Sequence, residues 1–241
     1  LPRIAILPSG NTNLIQLDVG SIGRGRQALA FLRAQESGPP NAPRVTPRPL
    51  LQASWNDGSR PPLRGFFLGA VAYTRGIALA HNAATYKKVA HGAGVALGIA
   101  GALISALGGP ARRQWLAGHP LALTLDGQAA PAGDRFLFLA TTLERLLLGI
   151  WPFWNAGLGP IRYLDISARP ERLLSAGWCM LRGKAPAWLL ASPDYRSGSA
   201  MGIDMRLDHP FVLDGETFEP GAGGVRLIAG PVLDFVAAGR S

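Results

Sequence analysis

Arg3-Ile4-Ala5-Ile6-Leu7-Pro8-Ser9-Gly10-Asn11-Thr12-Asn13-Leu14-Ile15-Gln16-Leu17 opens a chain of 241 residues and sets how the rest of it is read. Ile4 to Leu7 is a short apolar run of the kind a buried strand shows, and Pro8-Ser9-Gly10 stops it. Asn11, Thr12 and Asn13 each offer a helix cap, and Leu14, Ile15 and Leu17 give the apolar face of a short helix that ends near Gly20. A strand that passes through a small-residue loop into a helix N-terminus is either plain α/β architecture or a place where bare N–H groups meet an anion.

Outward from this unit the chain changes character. Gly23 to Phe31 reads as a second helical turn or two, and Ser37-Gly38-Pro39-Pro40-Asn41-Ala42-Pro43 forbids regular structure, so it is read as the crossing between two domains. Arg44 to Trp55 is extended, although Pro47 and Pro49 confine it to an edge. Asn56-Asp57-Gly58 is a hairpin turn, and Leu63 to Val71 a second, strongly apolar strand. Helix is expected from Tyr73 to Leu107. Strands return at Leu121–Leu125, Arg135–Thr142, Ile161–Ile166, Ala187–Leu190, Met201–Leu207, Phe211–Leu213, Val225–Ile228 and Val232–Val236, with a helix at Glu171–Leu181 introduced by Pro170. Closely spaced strands separated by turn signals predict a β-sandwich with a helical insertion.

Composition narrows the partners. A 48% hydrophobic and 16% charged chain is globular rather than disordered. The single Cys179, in an apolar setting, leaves no disulfide framework and no thiolate cluster for zinc. The net charge of +9 comes almost wholly from arginine, because Lys87, Lys88 and Lys184 are the only lysines. Such a balance favours anionic partners, yet the arginines are scattered and no nucleic-acid module is present. Val89 to Gly108 has the length of a membrane span but contains His91 and several glycines; it reads as packed helix, with a contact of Lys87, Lys88, Arg112 and Arg113 with a membrane face as the alternative. His81, His91, His119 and His209 follow no metal-ligand spacing, so structural or solvated roles are expected and no metal site is assigned to side chains.

Besides Asp57-Gly58, the Asp-Gly pairs Asp126-Gly127 and Asp214-Gly215 lie between strands and predict type I′ turns. Only the second continues into a carboxylate, Glu216.

Leu7-Pro8-Ser9-Gly10-Asn11-Thr12-Asn13 and Asp214-Gly215-Glu216, in this order, resemble the "P-x-G-T-x-N-D" loop and the C-terminal "D-G-E" of the diacylglycerol kinase and sphingosine kinase-like lipid kinases. Pro8, Gly10 and Asn13 match, while Asn11 stands for Thr and Leu14 for Asp. The resemblance implies an α+β chain: residues 1–38 as the end of an α/β nucleotide-binding domain, and residues 44–241 as a β-sandwich lipid-binding domain with inserted helices. It implies ATP and magnesium as cofactors, Ser9, Gly10, Asn11 and Asn13 at the ATP, and Asp214 and Glu216 as the catalytic pair. A lipid hydroxyl, diacylglycerol or a relative, would be the acceptor, because such a hydroxyl attacks only when a carboxylate takes its proton. The family's "G-G-D-G-T" phosphate loop is not in this sequence, so the chain reads as a fragment of a cytoplasmic enzyme that touches an anionic membrane peripherally and does not bind nucleic acid. A non-catalytic lipid binder on the same fold is the alternative. The family's mid-domain "P-x-A-x-x-D-D-G-x-L" is reduced here to Pro152-Phe153-Trp154-Asn155-Ala156-Gly157-Leu158-Gly159, with Gly157 and Leu158 in the acidic positions, which implies that a structural magnesium site is lost.

Overall fold

The computed structural model describes residues 2–7, 14–36, 43–82, 112–146, 149–155, 157–181 and 184–238. In chain order it forms β1 (Ile4–Ala5), α1 (Leu14–Val19), α2 (Arg26–Glu36), β2 (Arg44–Trp55), β3 (Leu63–Gly65), β4 (Phe67–Val71), α3 (Ala72–Asn82) and α4 (Arg112–Ala117). There follow β5 (His119–Leu125), β6 (Gln128–Ala129), β7 (Asp134–Thr141), β8 (Ile161–Ser167), α5 (Leu173–Leu181) and α6 (Ala187–Ala191). The chain closes with β9 (Tyr195–Ala200), β10 (Gly202–Leu207), β11 (Phe211–Leu213), β12 (Glu216–Phe218) and β13 (Val225–Ala237).

All strands join one curled sheet with the path β12-β11-β4-β7-β5-β10-β13-β2-β3, to which β8 and β9 add beside β7. Its spine is the antiparallel pair β2 and β13, in register from Trp55 opposite Val225 to Arg44 opposite Ala237. Pro47 and Pro49 are tolerated because β3 pairs with β2 only from Leu51 onward, so the prolines, which have no N–H to give, lie on the open edge. The pairs Val225–Ile228 and Val232–Val236, expected as separate strands, are one strand. Pro231 is absorbed as a register shift between Ala229 and Val232 instead of ending the ladder. Strand β1 pairs in parallel with the end of β13, Ile4 opposite Phe235, so the opening unit is hydrogen-bonded to the last strand.

Curling brings two halves of the sheet face to face over one core. Leu51, Ala53 and Trp55 of β2, Ile203 and Met205 of β10 and Leu227 of β13 meet Leu68 of β4, Phe138 of β7 and Phe211 of β11. Filling this space with aliphatic and aromatic side chains is the main source of stability, at roughly 25 cal/mol per Å² of apolar surface removed from water. The outer face of β4, β7 and β8 carries a second cluster. There Phe67, Phe136, Leu164 and Ile166 pack under Ala176 and Met180 of α5 and Leu189 of α6. A bulge between Arg135 and Leu137 lets Phe136 reach this side while Phe138 points to the first core.

Several segments differ from expectation for physical reasons. Leu63 to Val71 is two strands that bend at Phe66 and change partner, from β2 to β7 and β11. The apolar run from Phe66 to Val71 reflects the burial of Phe66 and of every residue of β4, whereas Arg64 on β3 is exposed. Ala187–Leu190 is helical, with Pro186 at its N-cap; a short apolar run carries no periodicity that would separate the two states. The helix at Leu173–Leu181 starts after Pro170, since Arg169 and Arg172 take left-handed φ values of +52° and +53°. Strand β9 is hidden in the sequence because Tyr-Arg-Ser-Gly-Ser-Ala has the composition of a loop; it is held by pairing with β8 along its length. Lys87, Lys88 and the stretch Val89 to Gly108 lie outside the described residues, among which no helix is long and apolar enough to cross a membrane.

Buried Arg135 and partly buried Arg196 complete the architecture. Arg135, with Nε 2.8 Å from Asp165, and Arg196, with Nη2 2.7 Å from the other Asp165 oxygen, flank a carboxylate that is wholly out of solvent. Arg135 Nη1 donates to the carbonyl of Gly133 and Nη2 to that of Pro131.

Candidate functional site

The Asp-Gly-Glu segment is a two-residue hairpin closed by the pair Leu213 and Glu216, with φ of +48° at Asp214 and +94° at Gly215. Both signs are positive, which is the type I′ geometry that Asp-Gly favours. The turn is tied to the Phe66 bend. Asp214 Oδ1 accepts the N–H of Phe67 at 2.9 Å and Oδ2 accepts that of Phe66 at 3.0 Å, while the Asp214 N–H donates to the Phe67 carbonyl at 2.9 Å. Gly65 makes room for this contact, because a Cβ there would sit 2.7 Å from Asp214 Oδ2. The outer edge of Asp214 is open while its carboxyl is tucked against this backbone. Loss of water raises the carboxyl pKa above the ordinary aspartate value; the Phe67 and Phe66 N–H groups oppose the rise and the charge of Glu216 adds to it. Tyr73, packed against Phe67 at 5.4 Å, has its phenol pushed up to about 12 by burial and by the Asp214 charge. Glu216 lies exposed on β12, at the rim of the turn.

A second carboxylate, which sequence reasoning does not single out, connects the opening unit to this place. Asp18 on α1 has no solvent-exposed side-chain surface; it accepts from Arg48 Nε at 2.6 Å and from the N–H of Glu144 at 3.2 Å. Arg48 also reaches Glu144 at 2.7 Å. The segment from Thr141 to Glu144 then runs back to the bend, where the Thr141 hydroxyl and the Thr142 N–H both donate to the Phe66 carbonyl. Val19, Phe66, Leu143 and Phe235 form an apolar cluster along the same line, with Leu14 and Ile15 packed on it. Asp18, residues 141–144, Phe66 and Asp214 are therefore joined by consecutive contacts, and α1 is tied to the Asp-Gly-Glu turn. Nothing in sequence spacing marks Asp18 or Arg48, because an isolated Asp in a short helix looks like any solvated one.

Ser9, Gly10, Asn11 and Asn13 lie outside the described residues. Asp126, on the other Asp-Gly turn, has φ of +49° and is more than a plain turn residue: its Oδ1 accepts the N–H groups of Met201 and Gly202, both at 2.8 Å. In the Pro152 to Gly159 segment Leu158 is fully exposed and Gly157 sits beside Ser199, so no side-chain carboxylate stands there to ligate a cation. His119 and His209, for which structural or solvated roles are expected, stack with ring centroids 4.8 Å apart and an interplanar angle of 25°, next to Asp208. Their planes are nearly parallel and the Arg75 guanidinium already holds His119 Nε2. This is a structural stack rather than an open coordination site, although His119, Asp208 and His209 form the one described cluster with metal-ligating side chains. A magnesium ion asks for carboxylate oxygens in octahedral array, and that donor set does not provide them.

No family model matches the chain, and no curated protein matches its sequence. Solved structures do match in fold. A protein of Bacillus anthracis str. Sterne provisionally named a diacylglycerol kinase aligns over 98% of this chain and 70% of its own length, with a TM-score of 0.58 and 16% identity. A diacylglycerol kinase of the same organism aligns over 98% and 67%, with a TM-score of 0.54 and 12% identity. A third, again provisionally named, gives 98% and 69%, 0.55 and 17%. At these identities the likeness is one of fold: the curled, sheet-rich architecture is that of the diacylglycerol kinase structures.

Proposed function

We propose that this chain is the acceptor-side part of an ATP-dependent kinase that phosphorylates a lipid hydroxyl, with diacylglycerol as the acceptor. The observation that carries the reading is the fold likeness over 98% of the chain to structures named as diacylglycerol kinases. The Asp-Gly-Glu turn, joined to α1 through residues 141–144 and Phe66, supports it. In this reading Ser9, Gly10, Asn11 and Asn13 contact ATP, and a divalent cation travels on the nucleotide phosphates rather than in a cage of side chains.

Glu216 is the general base: it is exposed, and no hydrogen bond occupies its carboxylate among the described residues. Asp214 holds the turn on the Phe66–Phe67 backbone and so sets where Glu216 stands. The acceptor hydroxyl gives its proton to Glu216 as its oxygen bonds to the γ-phosphorus, and the bond to ADP breaks; positioning and charge stabilisation supply most of the rate. The 241 residues contain no G-G-D-G-T loop, so transfer needs a phosphate-binding segment that this chain does not hold. The chain alone, incubated with labelled ATP, magnesium and diacylglycerol, is expected to form no phosphatidic acid, whereas the longest reading frame that carries it is expected to do so.

The fully exposed Leu158 and the glycine before it, where the resemblance asks for acids, favour a second reading, a lipid-binding protein without transfer. Lipid binding by the longer protein without product would establish that reading instead.

A further inference from the structure

Within the kinase reading, on which this step rests, we infer that Tyr73 selects the acceptor: its hydroxyl donates a hydrogen bond to an ester oxygen beside the hydroxyl that is phosphorylated. Strand β4 ends on a strained residue. Val71 has φ of +64°, in the left-handed region, where a β-branched side chain costs about 1–3 kcal/mol and lasts only if its surroundings hold it. It is 1% exposed, pairs with Leu137 of β7 and packs in the first core with Leu68 and Ala70. The strained residue lets strand become helix at once, since α3 starts at Ala72. Tyr73 is thereby laid back over the outer face of β4. A Cβ on Gly69 would run into its ring at Cγ and Cδ1, so the glycine is the seat of the ring, and Phe67 packs on it at 5.4 Å. Phe67 is the residue whose N–H and carbonyl hold Asp214. The ring is therefore built onto the backbone that carries the Asp-Gly-Glu turn.

Packing alone gives this ring no use for its hydroxyl, which makes no hydrogen bond among the described residues, and the side chain is only partly buried. Burial and the Asp214 charge hold the phenol up to about 12, so it keeps its proton at neutral pH and is available as a donor. Glu216, at the rim of the same turn, is the complementary group: as a carboxylate it only accepts, and in this reading it takes the proton of the reacting hydroxyl. An acceptor-only group and a donor at one turn match a molecule that offers a hydroxyl and, next to it, an oxygen that can only accept. A diacylglycerol ester oxygen is such an atom, and a simple fatty alcohol has none. A site that hydrogen-bonds a substrate atom discriminates against the analogue that lacks it, which makes the hydroxyl of Tyr73 a determinant of specificity.

The test titrates the longest reading frame that carries this chain, without ATP, with dioctanoylglycerol and with decanol in a calorimeter. Tyr73→Phe keeps the ring on Gly69 and gives up a hydroxyl that no described residue holds, so its melting temperature should equal that of wild type. It should bind dioctanoylglycerol about three- to tenfold more weakly, the scale of one neutral hydrogen bond, and bind decanol as wild type does. With ATP and magnesium added, the same variant should raise KM for dioctanoylglycerol by about the same factor and keep kcat within about twofold, as for an interaction made equally before and during transfer. Unchanged dioctanoylglycerol binding in Tyr73→Phe, equal weakening towards decanol, or failure of wild type to bind dioctanoylglycerol would each overturn the role of Tyr73. Absence of phosphorylated product from wild type, with the expected binding pattern intact, would instead remove the kinase reading and leave the contact of Tyr73 with the lipid established.

Discussion

Asp214 and Asp126 hold the same position in two type I′ hairpins, and each carboxylate accepts the N–H groups of two consecutive residues where the chain passes between strands: Phe66 and Phe67 for one, Met201 and Gly202 for the other. An Asp-Gly turn in this fold is thus also a clasp on a neighbouring backbone. The pair separates what the turn does for the fold from what the Asp-Gly-Glu turn does for chemistry. Asp214→Ala and Asp126→Ala leave two N–H groups without their acceptor, and each is expected to cost about 2 kcal/mol in denaturant unfolding. Asp126→Asn retains the single oxygen that accepts both N–H groups and tolerates the left-handed φ, so it should remain within about 1 kcal/mol of wild type, whereas Asp214→Asn sets an NH2 against one of its two N–H partners and should cost about 1–2 kcal/mol.

The pH dependence of Asp214 comes from the direction of its shift. Its folded pKa is raised, so the folded state holds a proton more tightly than the unfolded one. The stability that protonation brings therefore appears as pH falls through the folded pKa and is complete below the unfolded value of about 3.9. Subtracting the stability profile of Asp214→Asn from that of wild type should show a difference that grows in favour of wild type on acidification.

Gly65→Ala places a methyl against Asp214 Oδ2, a short side chain held by backbone bonds and unable to swing aside. Loss of at least one of the Phe66 and Phe67 contacts is expected, with a fall in stability of about 1–3 kcal/mol by chemical denaturation. The combination Gly65→Ala with Asp214→Ala should be no worse than Asp214→Ala alone, since the clasp is already gone.

Asp18 and Arg48 form a largely buried ion pair; removing Arg48 strands the Asp18 carboxylate, whereas removing Asp18 leaves Arg48 with Glu144. Arg48→Met alone should cost about 3 kcal/mol and Asp18→Asn less, and the double variant should recover much of the Arg48→Met loss; a double-mutant cycle in urea measures it.

The stacked histidines give a second pH signature. Burial, chiefly, and the nearby Arg75 charge hold both His119 and His209 below the ordinary imidazole value. Their contribution to stability is complete above the unfolded pKa of about 6.5 and is lost as pH falls below it. The variant with His119→Gln and His209→Gln should therefore show a flatter stability profile between about pH 7 and 5, read from thermal unfolding at each pH.

Much of the strand pattern was legible because alternation, Pro and Asp-Gly are local signals. Leu121–Leu125, Ile161–Ile166 and the two I′ turns needed no tertiary information. What escaped was non-local. The bend at Phe66 depends on Asp214, far along the chain, and the single strand across Pro231 depends on the length of β2 opposite it. Asp18, Arg48, Arg135 and Asp165 look like solvated charges until folding removes their water. His119 and His209 meet only because α3, β5 and the Asp208 to Pro210 segment converge. Of the site, the turn geometry of Asp214 could be read in sequence, whereas its attachment to Phe66 and Phe67 could not.

Glu216→Gln puts the general-base assignment to its sharpest test, since Glu216 is exposed and its replacement leaves the Asp214 clasp in place. Turnover of diacylglycerol by the longest reading frame that carries this chain should be measured beside the melting temperature, with Asp126→Asn as the matched control. A general base at this position predicts a fall in kcat of about 10²- to 10⁴-fold for Glu216→Gln, an unchanged melting temperature and a control near wild type. Wild-type turnover in Glu216→Gln would contradict it, and the Asp-Gly-Glu segment would then be a clasp without chemistry.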